Sequence, residues 1–295
     1  MPSLKHIKTR IKGINSTKKI TQAMKIVSAS GLRSVQSSIN SSDAYLKGFQ
    51  RLLIDVNNKN PELFRRFISL FKNKKESNVL FVVFGSDKGL CGSFNSKITS
   101  YITSKLQANY NAKIFCVGNK ISQYMQVHHK ENIEKHVPFF RKNNKKVSYN
   151  ASTLLSSEIK DVFFNGEFSE CRIVYAKFKS VLNQQVEDIK LLPLQIDEIE
   201  NLSCFAKSDK EIFEFDNNLE IILEKLIQNY INATVLHVYS NSLTCEYSAR
   251  MLAMDSATKN SDKMLKELNL LYNRSRQAII TKELIEIISG AEATN

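Results

Sequence analysis

Three glycines follow a short apolar run in the stretch 78-NVLFVVFGSDKGLCGSFNSK-97, an arrangement that can bind a nucleotide phosphate. Backbone N–H groups at a helix N-terminus attract anions, and glycine lets a phosphate approach the backbone closely. The spacing of Gly85, Gly89 and Gly92 fits neither G-x-G-x-x-G nor G-x-x-x-x-G-K-[ST], because no lysine follows the last glycine. The one cation between the first and last glycines, Lys88, precedes the middle glycine. The pattern therefore favours a tight strand-to-helix turn over a phosphate site.

Other residue types that support catalysis or metal binding are dispersed along the chain. His128, His129 and His136 lack the spacing of metal ligands, so we interpret them as surface histidines. No Ser/His/Asp group and no carboxylate pair in an apolar setting is recognisable. The cysteines form no C-x-x-C pair, which is typical of reduced thiols in the cytosol. They are Cys91, Cys116, Cys171, Cys204 and Cys245. We therefore expect no catalytic residues, no cofactor and no metal site.

Charge is unevenly distributed along the 295 residues, whose formal net charge is +13. Residues 1–76 have 16 lysines and arginines against 4 acidic residues, whereas residues 210–295 have 9 against 12. No acidic residue precedes Asp43. So basic a segment favours binding to nucleic acid, to anionic lipid or to an acidic protein surface. No apolar run approaches the ~20 residues of a membrane span, and the polar N-terminus does not read as a signal peptide.

Helical periodicity dominates both ends of the chain. The 96 residues between Pro193 and Gly290 contain neither glycine nor proline. From about Lys210 the apolar positions alternate steps of four and three, a coiled-coil pattern with one stutter between Leu243 and Met251. The N-terminal segment has similar spacing at Leu4, Ile7, Ile11, Ile14, Ile20, Met24, Val27, Leu32, Val35 and Ile39. Two long amphipathic segments, one basic and one mildly acidic, predict an antiparallel coiled coil.

The C-terminal seam, the row of positions predicted to face the partner helix, contains several polar residues. They are Asn229, Ser240, Thr258, Ser261 and Ser275. A tight coiled coil prefers leucine or isoleucine at such positions. We therefore expect the pair of helices to be weak alone and to be stabilised by a partner that encloses it.

The middle of the chain alternates β-prone and helical segments. The predicted strands are Val79–Phe84, Lys113–Val117, Arg172–Phe178 and Gln185–Leu194, and the predicted helices are Ser93–Gln107 and Ser148–Phe163. Such alternation predicts a small, mostly parallel, Rossmann-like sheet with helices on its faces. Residues 129–146 and the acidic loop 197–201 are polar and are expected to be exposed. The sequence thus predicts an N-terminal coiled-coil helix at 1–60, an α/β domain at 77–205 and a C-terminal coiled-coil helix at 210–289.

Three stretches, in the same order along the chain, resemble the γ-subunit family of the F-type ATP synthase, the central rotor shafts. They are 4-LKHIKTRIKGINSTKKITQAMKIVSAS-30, 86-SDKGLCGSFN-95 and 250-RMLAMDSATKNSDKMLKELNLLYNRSRQAIITKELIEIISGAEA-293. The resemblance implies a non-catalytic central-stalk subunit. By rotating, it couples proton flow through the membrane c-ring to ATP synthesis or hydrolysis in the β subunits. The chain departs from the family at Gly31 and Ser34, where cations are common, and this weakens the basic face.

The same resemblance implies the partners and the residues that contact them. The partners are the ring of α and β subunits, the ε subunit, the c-ring, and δ in the whole complex, with no nucleic acid and no direct small-molecule substrate. The residues implied to contact the ring are Lys18, Lys19, Met24, Lys25, Lys88, Arg250, Arg276, Gln277, Thr281 and Glu283. The apolar end at 284–288 is expected to turn inside a hydrophobic collar. The N-terminus suggests a bacterial protein, peripheral on the cytoplasmic side of the inner membrane, although a mature organelle protein would look similar.

Two other functions remain open from the residues alone. A nucleic-acid-binding coiled coil would suit the basic helix, but residues 1–44 contain no aromatic residue to interleave with the cations. A nucleotide-dependent enzyme could be built on the α/β domain, and such an enzyme would bind ATP saturably. The isolated chain would bind nucleic acid in the first case and ATP in the second, whereas a rotor subunit would bind neither.

Overall fold

The computed structural model describes residues 4–70, 78–108, 111–138, 149–166, 168–194 and 219–292. The chain divides into two compact units, one of residues 1–29 with 250–295 and one of residues 30–249. The two longest helices, α1 (Leu4–Lys59) and α6 (Leu219–Glu292), each contribute residues to both units. We refer to the first as the two-helix unit and to the second as the α/β unit.

A five-stranded sheet forms the centre of the α/β unit. Its strands are β1 (Val79–Phe84), β2 (Ala112–Val117), β3 (Ile133–Val137), β4 (Glu170–Phe178) and β5 (Gln184–Leu192). They lie in the order β3-β2-β1-β4-β5, and all neighbours pair in parallel except β4 and β5. Strand β1 is a continuous apolar run because helices cover both faces of the sheet. The predicted mostly parallel sheet is confirmed.

Helices pack on both faces of this sheet. They are α2 (Pro61–Leu70), α3 (Phe94–Ala108), α4 (Asn119–His128) and α5 (Tyr149–Asn165), with a 3-10 turn at Lys130–Asn132. On one face, side chains of α3 and α4 such as Ile98 and Met125 pack against Phe81 and Val83. On the other face, α5 packs together with α2 and the parts of α1 and α6 that belong to this unit.

The structure adds three elements that the sequence analysis did not predict, namely helix α2, helix α4 and strand β3. Only β3 lies within residues 129–146, where the sequence suggested polar, exposed chain. Strand β3 is an edge strand whose Glu134 and His136 are exposed, so it lacks the apolar run that marks a buried strand. The predictions for residues 139–146, 197–201 and 210–218 lie outside the described residues.

Helix α6 is buried on nearly all sides within the α/β unit, from Tyr230 to Ser248. A single two-helix seam therefore does not describe this part of the helix, because sheet, α1 and α5 surround it. Some of its hydroxyl groups bond to the preceding helical turn, and the Ser240 hydroxyl, for example, donates to the Leu236 carbonyl at 2.8 Å. The Ser242 and Ser248 hydroxyls have no hydrogen-bond partner among the described residues.

A half-buried histidine, His237, contacts the asparagine that links α6 to the end of β4. Asn241 Oδ1 accepts a hydrogen bond from the Phe178 N–H at 3.2 Å, so the Asn241 amide nitrogen faces His237 Nε2, also at 3.2 Å. Nε2 must therefore accept, and the proton of the neutral ring lies on Nδ1, which has no hydrogen-bond partner among the described residues. Burial lowers the pKa of His237, an effect opposed by Asp43 and reinforced by Lys177 and Lys47.

The two-helix unit is an antiparallel pair of helix segments, as predicted. From α1 the seam contains Ile7, Ile11, Ile14, Lys18, Thr21, Met24, Lys25 and Ser28, and from α6 it contains Met254, Thr258, Ser261, Leu265, Leu268, Tyr272 and Ser275. Ile20 and Val27, assigned to the apolar face from the sequence, are instead 60% and 62% exposed. Steps of three and four from Ile14 lead to Lys18 and Thr21. The apolar residues nearby therefore lie off the seam.

Candidate functional site

The interior of the two-helix unit contains a polar layer that joins the helices. The hydroxyl oxygens of Thr21 and Thr258 lie 2.8 Å apart. On one side of them, Lys18 Nζ lies 2.5 Å from the Asp262 carboxylate. On the other side, Lys25 Nζ lies 2.6 Å from Asp255. Residue numbers rise along α1 as those of their partners fall along α6. These three contacts therefore define the antiparallel register of the two helices.

Asp255 is the more constrained of the two carboxylates. It accepts from Lys25 and also pairs with Lys259, one helical turn later, at 2.7 Å. Hydrogen bonds from Lys25 and then from Lys259 lower the pKa of Asp255 to about 2. The carboxylate therefore stays ionised at any physiological pH, and Lys25 has an oppositely charged partner within the chain.

The hydroxyl groups of the seam are satisfied by the preceding helical turn. Thr258 donates to the Met254 carbonyl at 2.7 Å, and Ser261 donates to the Ala257 carbonyl at 2.8 Å. On α1, Ser28 donates to the Met24 carbonyl at 2.8 Å. Small side chains bonded in this way leave no orphaned polar group where the helices meet.

The predicted contact residues on α1 and at the start of this part of α6 fall into different environments. Lys19 is exposed, whereas Met24 is half-buried in the seam. Arg250 is only 6% exposed, so its guanidinium offers little surface to a partner. Sequence reasoning missed Ile26, which is 63% exposed and, with Ile20 and Val27, forms what we call the α1 apolar patch. An exposed group of large apolar side chains marks an interaction surface.

Beyond Ser275 the described residues of α6 are exposed on every side. This C-terminal segment, residues 276–290, contains the predicted contact residues Arg276, Gln277, Thr281 and Glu283, all exposed. It also exposes Ile279, Ile280, Leu284, Ile285, Ile287 and Ile288, of which Ile287 reaches 68%. A single helix of about 15 residues is marginal in water. Its exposed isoleucines and leucines therefore call for a partner that covers them.

The glycine-rich loop of residues 85–93 is filled by its own side chains. The Ser86 N–H donates to Asn95 Oδ1 at 3.1 Å, and the Asn95 amide donates back to Ser86 Oγ at 2.7 Å. Asp87 accepts from the Asn119 N–H at 3.1 Å, at the N-terminus of α4. The Ser86 N–H, a backbone donor at the start of the loop, and the Asn119 N–H, at the start of α4, are thus already bonded within the chain.

Close packing explains two of the glycines near this loop. A Cβ on Gly85 would lie 1.9 Å from Ile121 Cγ1, and a Cβ on Gly118 would lie 2.7 Å from the Gly85 carbonyl oxygen. Gly118 also has a φ of 112°, which strongly favours glycine. The exposed tip presents Lys88 and Leu90, and Leu90 adopts a φ of 62° that is uncommon for a leucine. The loop is a packed turn that displays side chains.

A cleft of about 530 Å³ opens at the amino ends of β1 and β2. Its lining includes Asn78, Lys113, His129 and Asn132. Open α/β sheets bind nucleotides at the carboxyl ends of their strands. The cleft therefore lies at the opposite edge from the usual ligand position of this fold class.

Within the ranges that the structure describes, no group of three or more His, Cys, Asp or Glu side chains could hold a metal ion. The histidines considered above have other neighbours: the His128 ring contacts the Tyr124 ring, and His129 lies 3.5 Å from the Thr103 hydroxyl. Over the same ranges, no helix is long and apolar enough to cross a membrane.

Comparison with known proteins matches the whole chain to one family. A sequence model of the family described as ATP synthase matches residues 3–294. An ATP synthase gamma chain from Granulibacter bethesdensis is 36% identical and one from Sinorhizobium medicae is 34% identical, each over 99% of this chain and 100% of its own length. The chain belongs to the γ-chain family of ATP synthase. The family membership predicted from the three stretches of sequence is therefore confirmed.

A solved structure shows the same fold. It is a chain of the Euglena gracilis mitochondrial ATP synthase, in a cryo-EM structure of OSCP, F1 and c-ring in rotational state 3. The TM-score is 0.69 at 19% identity, covering 99% of this chain and 94% of that chain. As a member of the γ-chain family, the chain is a non-catalytic subunit of the ATP synthase complex.

The predicted contact residues of this γ-chain family member divide into two groups. Lys18 and Lys25 are ion-paired within the chain, and Arg250 is buried. Lys19, Lys88, Arg276, Gln277, Thr281 and Glu283 are exposed. Contact between any of them and the catalytic ring stays a prediction, and exposure favours the second group.

Proposed function

We propose that the chain transmits torque as the central rotor shaft of an F-type ATP synthase, and that a ring of α and β subunits encloses its C-terminal segment. The observation that supports this most directly is the exposure of residues 276–290 on every side, with six large apolar side chains among them. A helix with so much uncovered apolar surface is stable when a partner surrounds it. A hydrophobic collar around residues 284–288 would provide that cover.

The shaft acts by presenting different surfaces to different β subunits. A rotor has no chemistry of its own, so it shifts a β subunit between open and closed states only through contacts that differ between those states. The two-helix unit has unlike faces suited to this role. Its α1 apolar patch lies on one helix, whereas Arg276, Gln277, Thr281 and Glu283 lie on the other.

The paired lysines take a supporting role in this proposal. Lys18 and Lys25 hold the register of the helices through Asp262 and Asp255, and Arg250 is buried. Direct ionic contacts to the ring then fall to Lys19 and Arg276, together with Lys88 at the tip of the glycine-rich loop. The sequence had suggested Lys18, Lys19 and Lys25 alike as ring contacts, whereas two of these lysines are paired within the chain.

The α/β unit would dock on the ε subunit and the c-ring, through which proton flow delivers torque, and δ would join in the whole complex. Support comes from the Euglena gracilis neighbour, whose structure includes F1 and the c-ring. The relatives reported above are bacterial. We place the chain on the cytoplasmic side of a bacterial inner membrane, as a peripheral part of the enzyme.

Charge reversal at Arg276 tests the coupling role. The Arg276→Glu chain is assembled with its α and β subunits and the membrane sector in vesicles, and ATP hydrolysis and proton pumping are measured together. We expect fewer protons pumped per ATP hydrolysed, because an exposed cation at a ring contact has been reversed. Lys263→Glu is the control, since Lys263 is an exposed cation on the same helix outside the C-terminal segment. Retained coupling in Arg276→Glu would refute this contact.

Two binding measurements test the alternatives. Affinity capture of the full chain should recover α and β subunits, and failure to recover them would refute the rotor proposal. Isothermal titration of the isolated chain with ATP should give no saturable binding, because the glycine spacing fits no phosphate loop and the Ser86 N–H is already bonded within the chain. Saturable binding would instead favour an enzyme built on the α/β unit. Tight, steeply salt-dependent binding to duplex DNA would favour a nucleic-acid-binding protein.

A further inference from the structure

Four exposed lysines form a row along α1, which we call the lysine stripe. They are Lys5, Lys8, Lys12 and Lys19. Their spacings of three, four and seven residues place them within about 60° of the helix circumference, over a length of about 21 Å. The stripe lies on the flank of the helix and not in the seam, which passes through Ile7, Ile11 and Ile14.

The stripe is not neutralised within the part of the chain that the structure describes. None of its four lysines has an ion-pair partner there, and no acidic residue occurs before Asp43. Of the acids in this part of α6, Asp255 and Asp262 are engaged by Lys25 and Lys18, and the exposed Glu267 has no ion pair with the stripe among the described residues. The helix therefore uses two lysines for its own register and leaves four like charges one or two turns apart, an arrangement that destabilises an isolated helix.

We propose that the lysine stripe binds an acidic protein surface that surrounds the two-helix unit, and that it steers this unit into its partner during assembly. The proposal rests on the proposed function in one respect: it takes the ring of α and β subunits as the partner. It adds the chemistry of that partner, namely carboxylates facing residues 5–19, and a kinetic role for the stripe, of which only Lys19 was among the expected contacts.

The surroundings of the stripe favour a protein over a phosphate backbone. Beyond Lys19 the same strip of helix continues into Ala23 and Ile26, and Ile26 belongs to the α1 apolar patch. A basic strip that ends in exposed aliphatic side chains suits the core and rim of a protein interface. Single-stranded nucleic acid would instead favour aromatic side chains on which bases stack, and residues 1–44 contain none.

The same surroundings disfavour a lipid surface. A membrane-surface helix has an apolar face running beside its lysines along their whole length. Here the apolar residues that accompany the stripe, such as Ile7, are covered by α6. What remains exposed over residues 5–19 is charged or polar apart from the half-buried edges of the seam.

A row of like charges acts mainly on the rate of encounter. Complementary charge raises association rates by 10- to 1,000-fold at low ionic strength, and added salt removes the effect because the Debye length shrinks to about 8 Å at 0.15 M. Charges at the rim of an interface change the association rate and its salt dependence more than they change dissociation. Assembly kinetics are therefore the sensitive measurement.

The test replaces all four stripe lysines by glutamine in the full chain. Association with purified α and β subunits is followed by the gain of ATP hydrolysis at low and at physiological ionic strength. We expect association at low ionic strength to slow by about tenfold, with most of its salt dependence lost. The matched control replaces four exposed lysines of the α/β unit, Lys97, Lys120, Lys130 and Lys179, by glutamine. This control has the same net charge as the stripe variant but keeps the lysine stripe, so it should assemble at the rate of the unmodified chain.

The outcomes separate this proposal from the proposed function. If the unmodified chain does not assemble with α and β subunits, the proposed function fails. If it assembles and the stripe variant matches it in rate and salt dependence, or if the control slows equally, the stripe proposal alone is overturned. Circular dichroism of both variants checks that they are folded, and Lys8→Gln with Lys12→Gln replaces the fourfold variant if that one is not. Loss of binding to anionic phosphatidylglycerol vesicles or duplex DNA, with assembly unchanged, would overturn the assignment to a protein partner.

Discussion

Replacing Gly85 by alanine tests whether the glycine-rich loop is a packed turn. The added Cβ would lie 1.9 Å from Ile121 Cγ1 and 2.9 Å from Ile121 Cδ1, far inside normal contact distance. Gly85 is not among the residues with positive φ, so the cost is steric and not a matter of backbone conformation. A loop that needed glycine only for phosphate approach would fold normally with alanine here.

Neither side of this contact can move away easily. The Gly85 N–H donates to the Val117 carbonyl at 2.8 Å, and the Lys120 N–H donates to the Ser86 carbonyl at 2.9 Å. Ile121, which belongs to α4, is fully buried against the sheet. Overpacking a rigid core typically costs 1–3 kcal/mol, so we expect Gly85→Ala to lower the free energy of unfolding by about 3 kcal/mol. That is a large part of the ~5–15 kcal/mol of a typical domain.

A double-mutant cycle identifies Ile121 as the cause. Ile121→Ala alone should cost about 2–5 kcal/mol through the cavity that it leaves. In the double variant the new Cβ at position 85 occupies part of that cavity. The combined loss should therefore fall short of the sum of the single losses by about 1–3 kcal/mol. Urea unfolding of the full chain, followed by circular dichroism, measures all four stabilities.

Gly89→Ala is the matched control within the same loop. The nearest atom to its added Cβ would be Lys120 Cε at 3.9 Å, an ordinary contact, so the change should stay within about 0.5 kcal/mol. If Gly85→Ala and Gly89→Ala lowered the free energy of unfolding equally, the loop would be sensitive for a reason other than contact with Ile121. An additive cycle would likewise contradict the packing argument. In both cases the glycines would need a different explanation.

Two further predictions concern the helices. Because burial lowers the pKa of His237, the unfolded chain takes up the proton first as pH falls below about 6.5, and the free energy of unfolding should fall with it. The urea midpoint of His237→Gln should decline less between pH 7.5 and 5.5, and parallel profiles would contradict the role of His237. In the two-helix unit, Thr21→Val and Thr258→Val should each cost about 1 kcal/mol, because each removes the hydrogen bond between the two hydroxyls and the remaining hydroxyl keeps only its bond to its own helix. The double variant should be nearly neutral by urea unfolding, and additive losses would show that the hydroxyl pair is not coupled.

The sequence predicted most of the fold because its strongest elements have strong local patterns. Val79–Phe84 is a continuous apolar run, and the strand occupies those same residues. A long stretch without glycine or proline becomes a helix of 74 residues. The edge strand β3 has no comparable pattern, because Glu134 and His136 face solvent and only Val137 is buried. Its place in the sheet depends on pairing with β2, a contact between distant residues that local pattern does not report.

The sequence did not distinguish the lysines of α1 that pair within the chain from those that are exposed, and helix phase explains why. Lys18, Lys19 and Lys25 look alike in the sequence, yet Lys18 and Lys25 point into the seam and Lys19 points away from it. A rotation of about 100° per residue separates a lysine paired with α6 from an exposed one. Ile20 differs from Ile14 in the same way. Their roles depend on where α6 lies, and the apolar residues of α1 alone did not determine that position.

The polar seam leads to a different conclusion from the one that the sequence suggested. Weak packing at Thr258 and Ser261 was expected to require an enclosing partner. In the structure each hydroxyl is bonded to its own helix, and two ion pairs add to the interface. These residues need no partner. A partner is needed instead at residues 276–290, where α6 continues past Ser275 and its isoleucines and leucines are exposed. A partner that stabilises the chain should therefore protect the amides of residues 276–290 from hydrogen exchange far more than those of residues 254–275.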